Sequence, residues 1–366
     1  MRIKEKKKIE SKLNIYRCGL DNGCSVIPDK FSKKYNLKLL LYYLIIIVLS
    51  PVQKLDDRVF FINGKAQNKM KTPMDNIEKV CRGFSRNSIL ENVRSKNICT
   101  PLKKNERFTI LLKSIAQFIK NKKKIFFLGT WIEFNYIYYF VQKAECNMLY
   151  SRGHYDEITT WMSYSCKLFK KNFIIIQHGI VLEKIKIPNK LYVSEMFCFD
   201  KYSIKIFHDN YIENSDTCKF YIQPFMSSVN FEMIEKKNRC IYVGLAEQCN
   251  KQWIEEILHI LKEVKCDVKV VIMLHPLSKN LYDEDDVIIE KNKKIGNIDF
   301  LITDNSTLLL DYYSYDKGIK LGYTSADARK TFSDYEFMYL DSKQTIKQWI
   351  ESNIKEECDE ESIYCC

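Results

Sequence analysis

The sequence predicts an α/β protein built as two Rossmann-like domains facing a cleft, preceded by a basic leader and a short apolar helix. Three observations predict it. The chain has 366 residues, which at a domain size of roughly 150 divides into two. Short apolar runs rich in Ile, Val and Phe alternate with amphipathic stretches along most of it, the pattern of parallel βαβ units. Polar clusters follow directly on several of those runs, which is where open parallel sheets bind their ligands.

Residues 1–54 read as the leader and helix. Arg2, Lys4, Lys6, Lys7 and Lys8 make its start basic, and the apolar run 39–49 is short for a membrane span, which needs about 20 residues. That run is either a buried or oligomer-forming element or a monotopic anchor assisted by the lysines on anionic lipid. Residues 55–226 form the first domain, expected to serve the acceptor: a strand at 59–62, a helix-like stretch from Met74, a helix over 108–119 and a strand at 125–128 stopped by Gly129-Thr130. A helix from Trp131, a strand at 147–150, a helix over 157–169 and a strand at 173–176 continue it. The polar stretch 227–238 marks the boundary, and 239–356 form the second, donor-binding domain. Its expected elements are a strand ending at Gly244, a helix over 252–264, strands at 268–274, 287–289 and 298–302, a helix from Thr307, a strand at 319–321 and a helix near 346–354.

Composition narrows the function. The 58 basic residues exceed the 46 acidic ones, a balance of +12 that favours anionic partners, although a Lys/Ile/Asn-rich composition produces the same excess without any binding demand. The 14 cysteines include no CxxC pair and no Cys/His cluster of zinc-ligand spacing, and several sit in apolar segments as small hydrophobes. They fit a reducing cytoplasm, and Cys365-Cys366 lacks the prenylation pattern. No Walker or GxGxxG pattern occurs.

Three strand-end clusters carry the candidate chemistry: Gln177-His178-Gly179, His275-Pro276 and Thr303-Asp304-Asn305-Ser306-Thr307. His178 is placed to take a proton from an acceptor hydroxyl, with Gly179 allowing a sharp turn; the plain alternative is a histidine that caps a strand end. His275 precedes a proline, so it is biased to an extended conformation from which its ring can donate to a phosphate oxygen; the alternative is an ordinary turn. Ser306 and Thr307 open a helix and offer hydroxyls and free N–H groups to an anion, with Asp311 at i+4 from Thr307 on the same face; the alternative is a simple N-cap. Glu133 after Gly129-Thr130, and Asp156 after Ser151-Arg152-Gly153-His154, are further candidate bases, or solvated caps. Gly244 either lets a donor phosphate approach or is a turn glycine.

The order Gln177-His178-Gly179, Leu274-His275-Pro276, then Thr303-Asp304-Asn305-Ser306-Thr307 with Asp311 resembles the surface-polymer transferases of GT-B type. It is most similar to the CDP-glycerol glycerophosphotransferase group and to related capsule sialyl- and Kdo-transferases with an HP motif. Over roughly residues 125–325 the resemblance implies His178 as base, His275 with Pro276 as the donor-phosphate step, and Ser306, Thr307 and Asp311 as donor contacts. Thr307 stands where the TDxSS pattern carries its second Ser, and Gln177 replaces the residue those enzymes carry before the histidine. What it implies is a cytoplasmic transferase, peripheral at the inner membrane face, that moves a sugar or polyol phosphate from a CMP- or CDP-activated donor to a capsule or surface glycan. Neither metal, cofactor nor nucleic acid is implied, and Asp283-Glu284-Asp285-Asp286 reads as a solvated acidic loop. The alternatives are a non-hydrolysing sugar-nucleotide epimerase and a non-enzymatic basic protein binding membranes or polyanions.

Overall fold

The computed structural model describes most residues from 102 to 363, apart from short gaps such as 121–127, 154–156 and 184–189, together with parts of 37–48 and the strands at 58–62 and 80–82. The chain divides into two compact units, Met1–His178 with Ile185–Pro224, and Gly179–Lys184 with Phe225–Cys366. Each is built on a parallel sheet of six strands.

The first unit runs β1 (Arg58–Ile62), β2 (Val80–Arg82), α1 (Lys104–Lys120), α2 (Leu128–Lys143), β3 (Met148–Ser151), α3 (Glu157–Phe169), β4 (Asn172–Ile176), β5 (Glu195–Cys198), α4 (Lys201–Ile206) and β6 (Lys219–Ile222). Its strand order is β2-β1-β3-β4-β5-β6 with every neighbouring pair parallel. β4 lies in the interior of this sheet, and Phe173 to Ile176 are buried on both of its faces, as the unbroken apolar run requires. Trp161 of α3 meets Phe134 of α2 edge-on at 5.7 Å. Asn135 of α2, fully buried, donates from Nδ2 to Ser114 Oγ of α1 at 3.0 Å, a polar tie between the two helices in the interior.

One expectation fails here. Leu128, read as the end of a strand, opens α2, and Gly129-Thr130 lie inside that helix rather than stopping a strand. A short apolar run has no period that separates strand from helix, and the apolar character continues through Val141, so the helix that buries it on nearly all sides prevails. Residues 125–127 and 74–79 lie outside the described residues, as do the basic residues before position 37, and the helix-like stretch expected from Met74 meets the strand β2 at Val80–Arg82 instead.

Part of the 39–49 run is helical and packs by one face. Tyr43 is fully buried, its hydroxyl donates to the Arg107 carbonyl of α1 at 2.9 Å, and its ring meets Tyr136 of α2 edge-on at 6.0 Å. Leu37, Leu41, Leu44 and Val48 form the opposite, exposed stripe. α1 presents a second one: Arg107, Ile110, Leu111 and Ser114 face inward while Phe108, Leu112 and Ile119 are exposed. No helix among the described residues is long and apolar enough to cross a membrane.

The second unit runs β7 (Ile241–Ala246), α5 (Lys251–Leu261), β8 (Val268–Leu274), β9 (Val287–Lys291), β10 (Phe300–Thr303), α6 (Leu308–Tyr313), β11 (Lys320–Tyr323), β12 (Met338–Tyr339) and α7 (Lys343–Ile363). The order β9-β8-β7-β10-β11-β12 is that of a Rossmann sheet, in which the first strand lies centrally and the chain winds outward in both directions. α5 buries Trp253, Ile254, Ile257, Leu258 and Leu261 on one side of this sheet, and α6 buries Leu309 and Tyr312 on the other. Asn250 caps α5 by accepting the Trp253 N–H at 3.2 Å.

Candidate functional site

The carboxyl edge of the second sheet gathers the chemistry. Register aligns Thr303 of β10 with Ala246 of β7, and Ala246 with Met273 of β8. Three neighbouring strands therefore end level with one another, about 4.8 Å apart, and the residues that follow leave by the same edge. They are Glu247 after β7, His275 after β8 and Asp304-Asn305-Ser306-Thr307 after β10. β7 and β10 are also the pair between which the winding reverses, the position where such sheets hold nucleotides.

His275 is half-buried, and its N–H reaches the Glu247 carboxylate at 3.3 Å. Its carbonyl accepts from Ser278 N–H at 2.8 Å, closing a four-residue turn. Pro276, between them, lies outside the described residues. Thr303 ends β10 with a fully buried side chain, and Asp304, Ser306 and Thr307 are half-buried. Ser306 Oγ accepts the Leu308 N–H at 3.2 Å, so this hydroxyl already caps the short α6, while Thr307 occupies the N-cap position and makes no side-chain cap bond. Asp311 does not stand open beside Thr307. It is 2% exposed and its carboxylate is paired with the Lys294 ammonium.

Gly244 corrects the expected strand end. It lies inside β7, which continues to Ala246, and a Cβ there would come within 2.6 Å of Ile298 Cδ1 and 2.7 Å of Met273 Cε. Its hydrogen makes room for core side chains rather than for a ligand. The residue that does leave the end of β7, Glu247, was not among the expected site residues. Its signal was present, a carboxylate directly after an apolar run, and was hidden because the strand was ended two residues early at Gly244.

In the first unit, β4 ends into Gln177 and His178. Gln177 is 1% exposed and ties three segments together: Nε2 donates to Ser203 Oγ at 3.0 Å, Oε1 accepts the Phe199 N–H at 2.9 Å, and its own N–H reaches the Phe197 carbonyl at 3.0 Å. This neutral amide, which can donate and accept at once, anchors the strand end from which the half-buried His178 emerges. Gly179 does not use a left-handed turn: among the described glycines only Gly318 has a positive φ, 72°. Glu133 is buried within α2, and residues 125–127, where the strand before it was expected, lie outside the described residues. Asp156 lies outside the described residues. No group of three or more His, Cys, Asp or Glu side chains among the described residues is arranged to hold a metal ion.

Set beside known proteins, the chain matches no protein-family model and no curated protein. Among the solved structures it is similar to, all three that follow are at low identity. The wall teichoic acid polymerase TagF shares 13% identity over 84% of this chain and 78% of that one, with a TM-score of 0.38. A glycosyltransferase from Rickettsia africae shares 12% over 90% and 86%, at 0.44. The glycosyltransferase SnogD from Streptomyces nogalater shares 10% over 76% and 84%, at 0.39.

Proposed function

We propose that the chain is a transferase that moves a sugar or polyol phosphate from a CMP- or CDP-activated donor to a surface glycan. One observation carries the reading. His275 and the stretch 303–307 leave level, near-adjacent strand ends at the winding reversal of a Rossmann sheet, in the order the transferase motifs have along the chain. In this reading the His275 ring donates to the donor phosphate and offsets the charge that develops as the nucleotide leaves. The Thr303, Asp304 and Thr307 side chains contribute polar contacts on the neighbouring strand end, with Ser306 fixing the turn between them. His178, on the first unit, takes the proton from the acceptor hydroxyl as the new bond forms. The apolar stripes of residues 37–48 and α1, with Lys104, Lys113 and Lys120 exposed on α1, support work at the cytoplasmic face of an anionic membrane, where a lipid-linked glycan would be met.

The test offers purified protein a panel of CMP-, CDP-, UDP- and GDP-activated donors with glycan acceptors and measures nucleotide release. Wild-type protein is expected to release CMP or a CMP derivative in an acceptor-dependent way. His275→Ala should lower the rate by roughly 10²-fold, the cost of removing one donor from a developing charge. Equal release by the variant overturns the role of His275, and conversion of the nucleotide sugar without any acceptor replaces the transferase by an epimerase.

A further inference from the structure

Glu247 is 2% exposed, and its carboxylate is the hub of the loop that carries His275. Oε2 accepts the His275 N–H at 3.3 Å. Oε1 accepts from Ser278 Oγ at 3.1 Å, Asn280 Nδ2 at 2.6 Å and Tyr282 OH at 3.4 Å. The Glu247 N–H itself continues the β7–β8 ladder by donating to the Met273 carbonyl at 3.0 Å, and Asn280 N–H donates to Ser278 Oγ at 3.2 Å. His275, Ser278, Asn280 and Tyr282 thus all turn to one buried side chain, and its described partners are four neutral donors with no cation among them.

A buried anion at the edge of a sheet read as binding phosphate is electrostatically unfavourable, so its presence there calls for a specific reason. Acceptor number supplies it. An ionised carboxylate accepts at both oxygens and donates nothing, whereas an amide of the same shape turns one of those oxygens into a donor. With glutamine at 247, either the His275 N–H or the Ser278–Asn280–Tyr282 set would face an NH₂ group and lose its acceptor. Burial, and then the Glu247 charge, push the Tyr282 phenol up to about 12.

We propose that Glu247 is the positioning residue of the site: by accepting the His275 N–H it fixes where β8 stops and from which point the imidazole leaves the sheet edge. This rests on the reading of His275 as the donor-phosphate group, and the experiment separates the two. Glu247→Gln, Glu247→Asp, His275→Ala and the double variant Glu247→Gln/His275→Ala are compared by hydrogen exchange and by nucleotide release.

Glu247→Gln should raise exchange in peptides covering 275–282 by about tenfold or more, the equivalent of one lost charged hydrogen bond, while peptides over β10 and β11 keep their protection. In release assays it should lower kcat by roughly 10-fold or more with the acceptor KM unchanged. Glu247→Asp, which keeps both acceptors on a shorter stem, should recover part of the loss. Combined with His275→Ala, Glu247→Gln should cost nothing further, because it acts through that histidine. Unchanged exchange in 275–282, or losses that add in the double variant, would overturn the proposal. If wild-type protein releases nucleotide from no donor, the reading of His275 falls and, with it, the catalytic part of this proposal; the exchange result then decides the loop-fixing part alone.

Discussion

Asp311 separates a structural from a ligand-binding carboxylate. Its spacing from Thr307 suggests a donor contact, yet it is buried and paired with Lys294, which is itself only 16% exposed. Asp311→Ala removes the carboxylate paired with that ammonium. Removing one partner of a buried pair costs about 3–5 kcal/mol, and the residual exposure of Lys294, which lets its amine reach water, places this case near about 3. At 1.4 kcal/mol per factor of ten, that is an increase of about 10²-fold in the opening of the second unit. Tryptophans sit in both units, so fluorescence would mix them; hydrogen exchange over β10, α6 and β11 reports on the second alone. Replacing both partners, as Asp311→Ala/Lys294→Met, should return stability to within about 1 kcal/mol of wild type. A donor-binding assay on this double variant then decides the role. Recovered binding makes Asp311 a structural anchor, and binding still lost in a stable protein makes it a donor contact. A cost for Asp311→Ala below about 0.5 kcal/mol would refute the pairing argument.

Three further outcomes follow from packing and charge. Gly244→Val should lose about 2 kcal/mol or more in urea unfolding, since Ile298 and Met273 already occupy the space a Cβ needs, while Gly244→Ala loses less because the atoms it meets end flexible side chains. Burial raises the thiols of Cys166, Cys198 and Cys218, the last to about 12, so among the described cysteines alkylation of native protein at pH 8 should spare them and reach the half-buried Cys266 first. Neutral thiols favour the fold, so this stability is complete below the ordinary value of 9.0 and drains as pH rises from there toward about 12, readable as a falling urea midpoint. Leu44→Glu with Leu112→Glu should weaken sedimentation with phosphatidylglycerol vesicles by about 10²-fold, from two leucines at about 1.5 kcal/mol each; unchanged binding would remove these stripes from any membrane contact.

The sequence was legible where an element carried its own signal. β8 and α3 run at the expected bounds, 268–274 and 157–169, because a run rich in Val and Ile favours a strand and an amphipathic period favours a helix. β5 and β6 were not expected: Glu195–Cys198 is four residues with a charged start, and Lys219–Ile222 is an edge strand with mostly exposed side chains, so neither shows a run or an alternation. α2 was half-read, since its apolar opening fits either conformation until the neighbours that bury it are known. Site residues followed the same division. His275 was visible from its place after β8. Gln177 looked like a departure from a motif, and its three bonds to residues 197–203 depend on a fold that brings β5 alongside β4. The Lys294 partner of Asp311 lies far outside helical spacing, where no local pattern could point to it.

The short passage Gly179–Lys184 belongs to the second compact unit although it is made within the first. Ile180 joins the core around Tyr242 and Leu309, the Val181 carbonyl accepts from Thr331 Oγ1, and Glu183 pairs with Lys330 at 2.8 Å. On the ribosome Val181 and Glu183 emerge more than a hundred residues before Thr331 and Lys330, the partners that receive them. A fragment begun at Phe225 would be born without these contacts, and attempts to express the second unit alone should carry 179–184 in front of it by a linker.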